Sequence, residues 1–262
     1  MKNALIGYTG FVGSTLLKQT HFDALYRSTN IAEIRNQSFN QVICAGAPAQ
    51  KWLANKNPSE DLLKINTLID HLRTIHCEQF ILISTVDVFS NPTQVNEDSQ
   101  VSESNLQAYG LHRWYLEKFV EEQFPNHLII RLPGLVGPNL KKNIIFDFLN
   151  DNNTSLIESR NIFQFYPMIN LWFDIQTALE SNIKLLHLTA EPLSVKEVAA
   201  MGFGYPFDNI LNNKIITYDF QTKYAPLFGN KTNYQYSKKE TIQAIRAYAQ
   251  SEPLTLLKEE KL

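Results

Sequence analysis

Tyr109 and Arg113 stand four residues apart in "QAYGLHR" (residues 107–113), one turn of a helix, so a phenol and a guanidinium share one face. A free phenol titrates near ~10 and is a poor base at neutral pH, but a neighbouring cation stabilises the phenolate and lowers that value. Arginine carries a permanent charge and five donors; unlike lysine it cannot pass a proton on. A phenol and a cation so placed could do acid–base work at an oxygen, an effect of roughly 10²–10⁴-fold in rate. The competing reading is an aromatic packed under a loop beside a surface arginine.

A second constellation opens the chain. "ALIGYTGFVGSTLLKQT" reads as a strand, a glycine turn and a helix, with Gly7 for the tight turn, Gly10 for close approach of a pyrophosphate and Gly13 for close packing of helix on sheet. Thr9, Phe11 and Val12 belong to the same turn, and amides at the helix start would face phosphate, where the helix dipole favours negative charge. Val12, Leu16 and Leu17 follow on that helix. The next strand ends "ALYRSTN" without an acid. Arg27 and Ser28 there suit a ribose 2′-phosphate, which favours NADP(H) over NAD(H); a solvated surface arginine is the alternative.

These groups need a scaffold. Short apolar runs at 4–7, 24–26, 41–46, 79–84, 127–132 and 184–189 are rich in Ile, Leu and Val and mostly do not alternate, as for strands buried on both faces of a parallel sheet. Between them lie helix-length stretches. In "NPSEDLLKINTLIDHL", Asn57 is the expected cap, Pro58 the first helical residue, and Leu62, Ile65, Ile69 and Leu72 the apolar stripe. Ser194 and Glu197 have capping-box spacing. The expected fold is α/β, a Rossmann-type doubly wound parallel sheet. Its core spans 1–137 and is completed by about 164–190. Residues 138–163 and 191–262 form a smaller substrate lobe, and the tail "SEPLTLLKEEKL" reads as a frayed helix.

Composition narrows the partners. A net charge of −2 over 262 residues gives no reason to expect nucleic acid. No apolar run approaches the ~20 residues that span a bilayer, and the opening residues do not read as a secretory signal, so no membrane partner and a cytoplasmic location are expected. The two cysteines, Cys44 and Cys77, read as reduced and structural. His71 and His76, five apart, share no helix face, and no metal site is expected.

Seven segments in order resemble the extended short-chain dehydrogenase/reductase family, its epimerase/dehydratase-like branch: "GYTGFVG", "VICAGAP", "INTLID", "ILISTVDVFSNP", "VNEDS", "AYGLHR" and "IIRLPGLVGP". The resemblance runs to about residue 200. It implies that Ala45, Gly46 and Ala47 lie beside the cofactor, that Asn66 steadies the active-site backbone, and that Thr85 supplies a hydroxyl, although Ser84 beside it is an alternative. It implies that Pro133 and Gly134 adjoin the nicotinamide, and that Tyr109 is the acid/base, with Arg113 replacing a lysine that also holds ribose hydroxyls. Phe89 stands where a tyrosine is common, and only about a dozen residues separate "YRSTN" from "NQVICAG", so a crossover helix is shortened or missing.

The implied function is an NAD(P)(H)-dependent oxidoreductase or epimerase acting on a small-molecule carbonyl or alcohol of the nucleotide-sugar kind. Lys141, Lys142 and Arg160 are candidates to meet a diphosphate, and Phe163, Phe165, Tyr166 and Trp172 to stack on a base or sugar, though aromatic runs are more often core. Family members often form homodimers through the helices starting near residues 58 and 106, where Leu111, Trp114 and Tyr115 lie. The alternative class is a silent NADP-binding protein that reports redox state to a partner, motivated by Arg113.

Overall fold

The apolar runs are strands, and those inside the sheet are covered on both faces, while the edge run ALY leaves Leu25 exposed. In the computed structural model, which describes residues 2–253, Leu5, Val42, Ile43, Phe80, Ile81, Leu128, Ile129 and Ile130 have no accessible surface. The helix expected in the tail lies, beyond Pro253, outside the described residues. Along the chain come β1 (Lys2–Ile6), α1 (Phe11–Gln19), β2 (Ala24–Tyr26), β3 (Ser38–Cys44), α2 (Lys51–Lys56), α3 (Pro58–Leu72), β4 (His76–Thr85), β5 (Thr93–Val95), α4 (Ala108–Gln123), β6 (His127–Leu132), β7 (Gly134–Val136) and α5 (Ile144–Asn150). There follow β8 (Ile162–Phe163), β9 (Phe165–Pro167), α6 (Leu171–Glu180), β10 (Leu185–His187), β11 (Leu193–Ser194), α7 (Val195–Glu197), β12 (Asp219–Phe220) and α8 (Lys238–Ser251).

The chain divides into two units. The first takes residues through Asn91, Glu97–Leu132 and Leu171–His187. It contains one six-stranded parallel sheet in the order β10-β6-β4-β3-β1-β2. All six apolar runs are in it, as expected. The order reverses between β1 and β3, which makes the carboxyl ends of β1, β3 and β4 the place where such sheets hold ligands. Between β2 and β3 there is only a 3-10 turn at Ile31–Ile34, matching the shortened crossover.

One local expectation needs correction. Asn57 precedes α3, with Pro58 in the first turn, but its side chain does not cap. Its N–H closes α2 on the Leu53 carbonyl at 2.8 Å. On α1, Leu17 is exposed, and its neighbour Leu16, about 100° round the helix, takes the core position.

The second unit comprises Pro92–Asn96, Pro133–Asn170 and the described residues from Leu188 onward. Its strands are short pairs: β7 with β9, β8 with β11, β5 with β12. A buried glutamine substitutes for a long ladder. Gln164 Nε2 donates to the Ala190 and Phe220 carbonyls at 2.6 and 2.7 Å, and its Oε1 accepts the Phe220 N–H at 2.7 Å. The Ser194–Glu197 capping box forms as expected, and a second forms at Ser237 and Glu240. Phe165 and Tyr166 are buried, which resolves their two readings in favour of core.

Candidate active site

The turn after β1 is built by close approach. Gly7 has φ +85°, and a Cβ there would meet the Ala45 carbonyl oxygen at 2.3 Å. A Cβ on Gly13 would meet the Gly7 oxygen at 2.2 Å, so the chain itself forbids side chains at both positions. Gly10 differs. Its φ is −75°, and its nearest neighbour to an added Cβ, the Gly7 oxygen, is 3.4 Å away. Gly10 is exposed at the start of α1, and nothing in the protein requires it to be bare. Thr9 is exposed, with Phe11 and Val12 half-buried behind it. Ala45, Gly46 and Ala47 follow β3, half-buried, with the Ala45 N–H on the Ile6 carbonyl at 2.9 Å. Arg27 and Ser28 are exposed beyond β2; Arg27 Nε donates to Thr29 Oγ1 at 2.9 Å.

The hydroxyl pair sits at the end of β4. Strand alternation sends Ser84 to the buried side, where it donates to Glu117, itself paired with Arg131 at 2.6 Å. Thr85 points the other way. Its Oγ1 accepts the Asp87 N–H at 3.1 Å, lies 3.3 Å from Asp87 Oδ2, and is near enough to the Tyr109 phenol to favour its ionised form. Tyr109 reaches it because α4 begins directly on the turn after β4: a Cβ on Gly110 would fall 1.9 Å from the Asp87 carbonyl oxygen. The Tyr109 N–H donates to Asn55 Oδ1 at 2.9 Å, and Asn55 Nδ2 donates to Gln107 Oε1 at 2.7 Å.

Arg113 is more committed than its type and spacing suggest. It is 3% exposed. Nη2 donates to Asp61 Oδ1 at 2.9 Å and to the Pro48 carbonyl; Nη1 donates to Asp61 Oδ2 and, at 3.3 Å, to the Tyr109 carbonyl. The guanidinium carbon lies 4.1 Å from the Tyr109 ring centroid, so the cation faces the ring. Asp61 also accepts a 2.7 Å bond with His112 Nδ1. Burial works against the Asp61 carboxylate, but its bonds and charge pairing with Arg113 and His112 outweigh that and hold the carboxyl below its usual range.

That commitment reverses one expectation. The phenol of Tyr109 is pushed above its ordinary value. Burial is the main cause and the Asp87 charge adds to it; Arg113, the Thr85 hydroxyl and Lys51 pull the other way and do not prevail. The group is held as a phenol, a proton donor, and is not a ready base.

Two other residues, Asn66 and Arg160, lie apart from the roles expected of them. Asn66 is exposed, because the inward face of α3 is Asp61, Ile65, Leu68, Ile69 and Leu72, and position 66 lies off it. The asparagine at the Tyr109 backbone is Asn55, on the short α2. Arg160, in the second unit, donates from Nε to Glu158 Oε1 at 2.8 Å and from Nη2 to Glu158 Oε2 and the Leu211 carbonyl at 2.9 and 3.1 Å, which leaves little for a diphosphate. Lys141 and Lys142 are exposed there. Gly134 is constrained by its own unit, since a Cβ would meet the Gln164 oxygen at 2.6 Å, and Pro133 beside it is buried. Sequence reasoning did not single out Asn55, Asp61 or Asp87 as site residues. Asp61 had a signal: an acid four residues before Ile65, in phase with an apolar stripe.

No family model matches the chain, and neither does any curated protein. Solved structures do. The enzyme WbmG of Bordetella bronchiseptica, solved with NAD, is 15% identical, with a TM-score of 0.74 over 98% of this chain and 96% of its own. The dTDP-4-dehydrorhamnose reductase of Bacillus anthracis, solved with NADP, is 16% identical, with a TM-score of 0.71 over 96% and 98%. The UDP-N-acetylglucosamine 4-epimerase of Methanobrevibacter ruminantium, solved with UDP-N-acetylmuramic acid, is 12% identical, with a TM-score of 0.71 over 95% and 96%. The chain has the fold of these three enzymes over nearly its whole length, which is the fold the seven ordered segments implied.

Proposed function

We propose that this protein is a nicotinamide-dependent oxidoreductase or epimerase of the extended short-chain dehydrogenase/reductase type, acting on a carbonyl or alcohol of a nucleotide-sugar-like substrate. The observation that carries the reading is the Thr85–Tyr109 hydroxyl pair at the end of β4, in the same unit as the glycine turn. Gly10 supports a dinucleotide there. A glycine with ordinary φ and room for a methyl group is bare for something outside the chain, and a pyrophosphate on the first amides of α1 meets that description.

When bound, the reduced nicotinamide supplies hydride to the substrate carbon. Thr85 holds the substrate oxygen, and Tyr109 gives that oxygen its phenolic proton. A phenol kept protonated suits this reductive direction better than alcohol oxidation, which needs a base. Arg27 and Ser28 at the end of β2 favour NADP(H), with NAD(H) as the weaker ligand. Lys141 and Lys142 remain candidates for a substrate diphosphate. Tyr109→Phe is expected to cut NADPH consumption with a nucleotide-linked 4-keto sugar by 10²-fold or more and to leave NADPH affinity within about twofold. Unchanged turnover would reject the assignment of Tyr109.

A second reading has its own observation. With both terminal nitrogens of Arg113 held by Asp61 and chain carbonyls, and the phenol raised, the site suits a binder that turns over slowly. Saturable NADPH binding without consumption across a panel of nucleotide-linked keto sugars would favour it.

A further inference from the structure

Arg113 is locked beneath the phenol ring, so the groups at the phenol's own end matter more. Asp87 is pinned there by its backbone and its side chain. Its carbonyl packs on Gly110, its N–H is held by Thr85, and its carboxylate spans two partners. Oδ2 lies 3.3 Å from Thr85 Oγ1, the hydroxyl beside the Tyr109 phenol, and Oδ1 accepts from Lys51 Nζ at 2.6 Å. Lys51 belongs to α2, the helix whose Asn55 holds the Tyr109 N–H. One short helix thus reaches both the backbone of Tyr109 and, through Asp87 and Thr85, its phenol.

We propose that Lys51 and Asp87 are positioning residues for Tyr109, with Asp87 fixing the Thr85 hydroxyl on one side and the Lys51 ammonium on the other. Neither residue belongs to the tyrosine motif. The Lys51 side chain is 48% exposed where that of Arg113 is 3%, so its ammonium can move and exchange with water while the guanidinium cannot. An ordinary surface ion pair would leave the chemistry untouched. This one differs because the second oxygen of its acid rests on the hydroxyl that meets the phenol. The charged groups facing Tyr109 are Arg113 from α4, Asp87 from the turn after β4 and Lys51 from α2.

The inference rests on the proposed reading of Tyr109 as the proton donor, and its test separates the two. The full chain is labelled at its tyrosine rings, the Tyr109 resonance is identified by its loss in Tyr109→Phe, and its titration is followed by NMR. Lys51→Met is expected to make the phenol about tenfold less acidic by leaving Asp87 uncompensated, and Asp87→Asn to make it more acidic. Lys51→Arg should restore the original value. Opposite signs from two neighbouring substitutions are not what general loosening of the site produces. Identical titration in all four proteins, or shifts of the same sign in Lys51→Met and Asp87→Asn, would overturn the inference. NADPH consumption with a nucleotide-linked 4-keto sugar reports separately: its absence in the unmodified protein counts against the proposed function and leaves the titration result standing.

Discussion

At the scale of single residues, one arginine divides what the sequence shows from what it hides. Its charge and its place one turn after Tyr109 are plain in "AYGLHR". Its partner is not, because Asp61 lies 52 positions earlier and only the packing of α3 on α4 brings them together. The pair is buried and bidentate, and removing one member leaves an uncompensated charge, a loss of roughly 3–5 kcal/mol. Asp61→Ala is therefore expected to lower stability by about that amount in denaturant unfolding. Arg113→Lys should also destabilise, because an ammonium cannot reproduce the two-pronged contact; it is not expected to rescue activity. The pH dependence has a definite sign. The folded Asp61 carboxyl lies below its unfolded value of about 3.9. Its contribution is fully present above that value and is lost as pH falls through the folded one. The stability gap between the unmodified protein and Asp61→Asn should shrink over that acid range; a gap that widens in acid would contradict the assignment. The two thiols are simpler. Burial raises Cys44 to about 11 and Cys77 to about 12, in keeping with unreactive, structural cysteines.

Secondary-structure elements were legible where burial alone defines them. The inner strands of the sheet are continuous apolar runs because both their faces are covered, and ALY and HLIIRL match β2 and β6 end to end. The short α2 escaped notice because six residues carry no periodic stripe. With it went Asn55, and the role fell by resemblance to Asn66, a residue on the solvent side of α3. The second unit was hard to read for a related reason: strands of two or three residues have no alternation to detect, and their geometry depends on Gln164, a polar residue buried by its partners. At this scale the contact between α4 and the turn after β4 is the critical joint. Gly110→Ala must move α4 away from the Asp87 carbonyl, and overpacking of this kind costs about 1–3 kcal/mol. The loss should appear in thermal or denaturant unfolding together with reduced turnover; a variant of unchanged stability would show that the joint is looser than its geometry.

Across the molecule, the three glycines of the first turn separate folding from binding. Gly13→Ala drives a methyl group into the Gly7 carbonyl and should destabilise the protein before any ligand is considered. Gly10→Ala has room and ordinary dihedrals, and should leave stability within about 0.5 kcal/mol while weakening dinucleotide binding at least tenfold. Equal behaviour of the two variants would remove the reason for placing a pyrophosphate at this turn. Titration of the full chain with NADPH and with NADH, followed by nicotinamide emission, tests the central claim most directly. The expected result is saturable binding, tighter for NADPH; no saturable change with either nucleotide at millimolar concentration would contradict it.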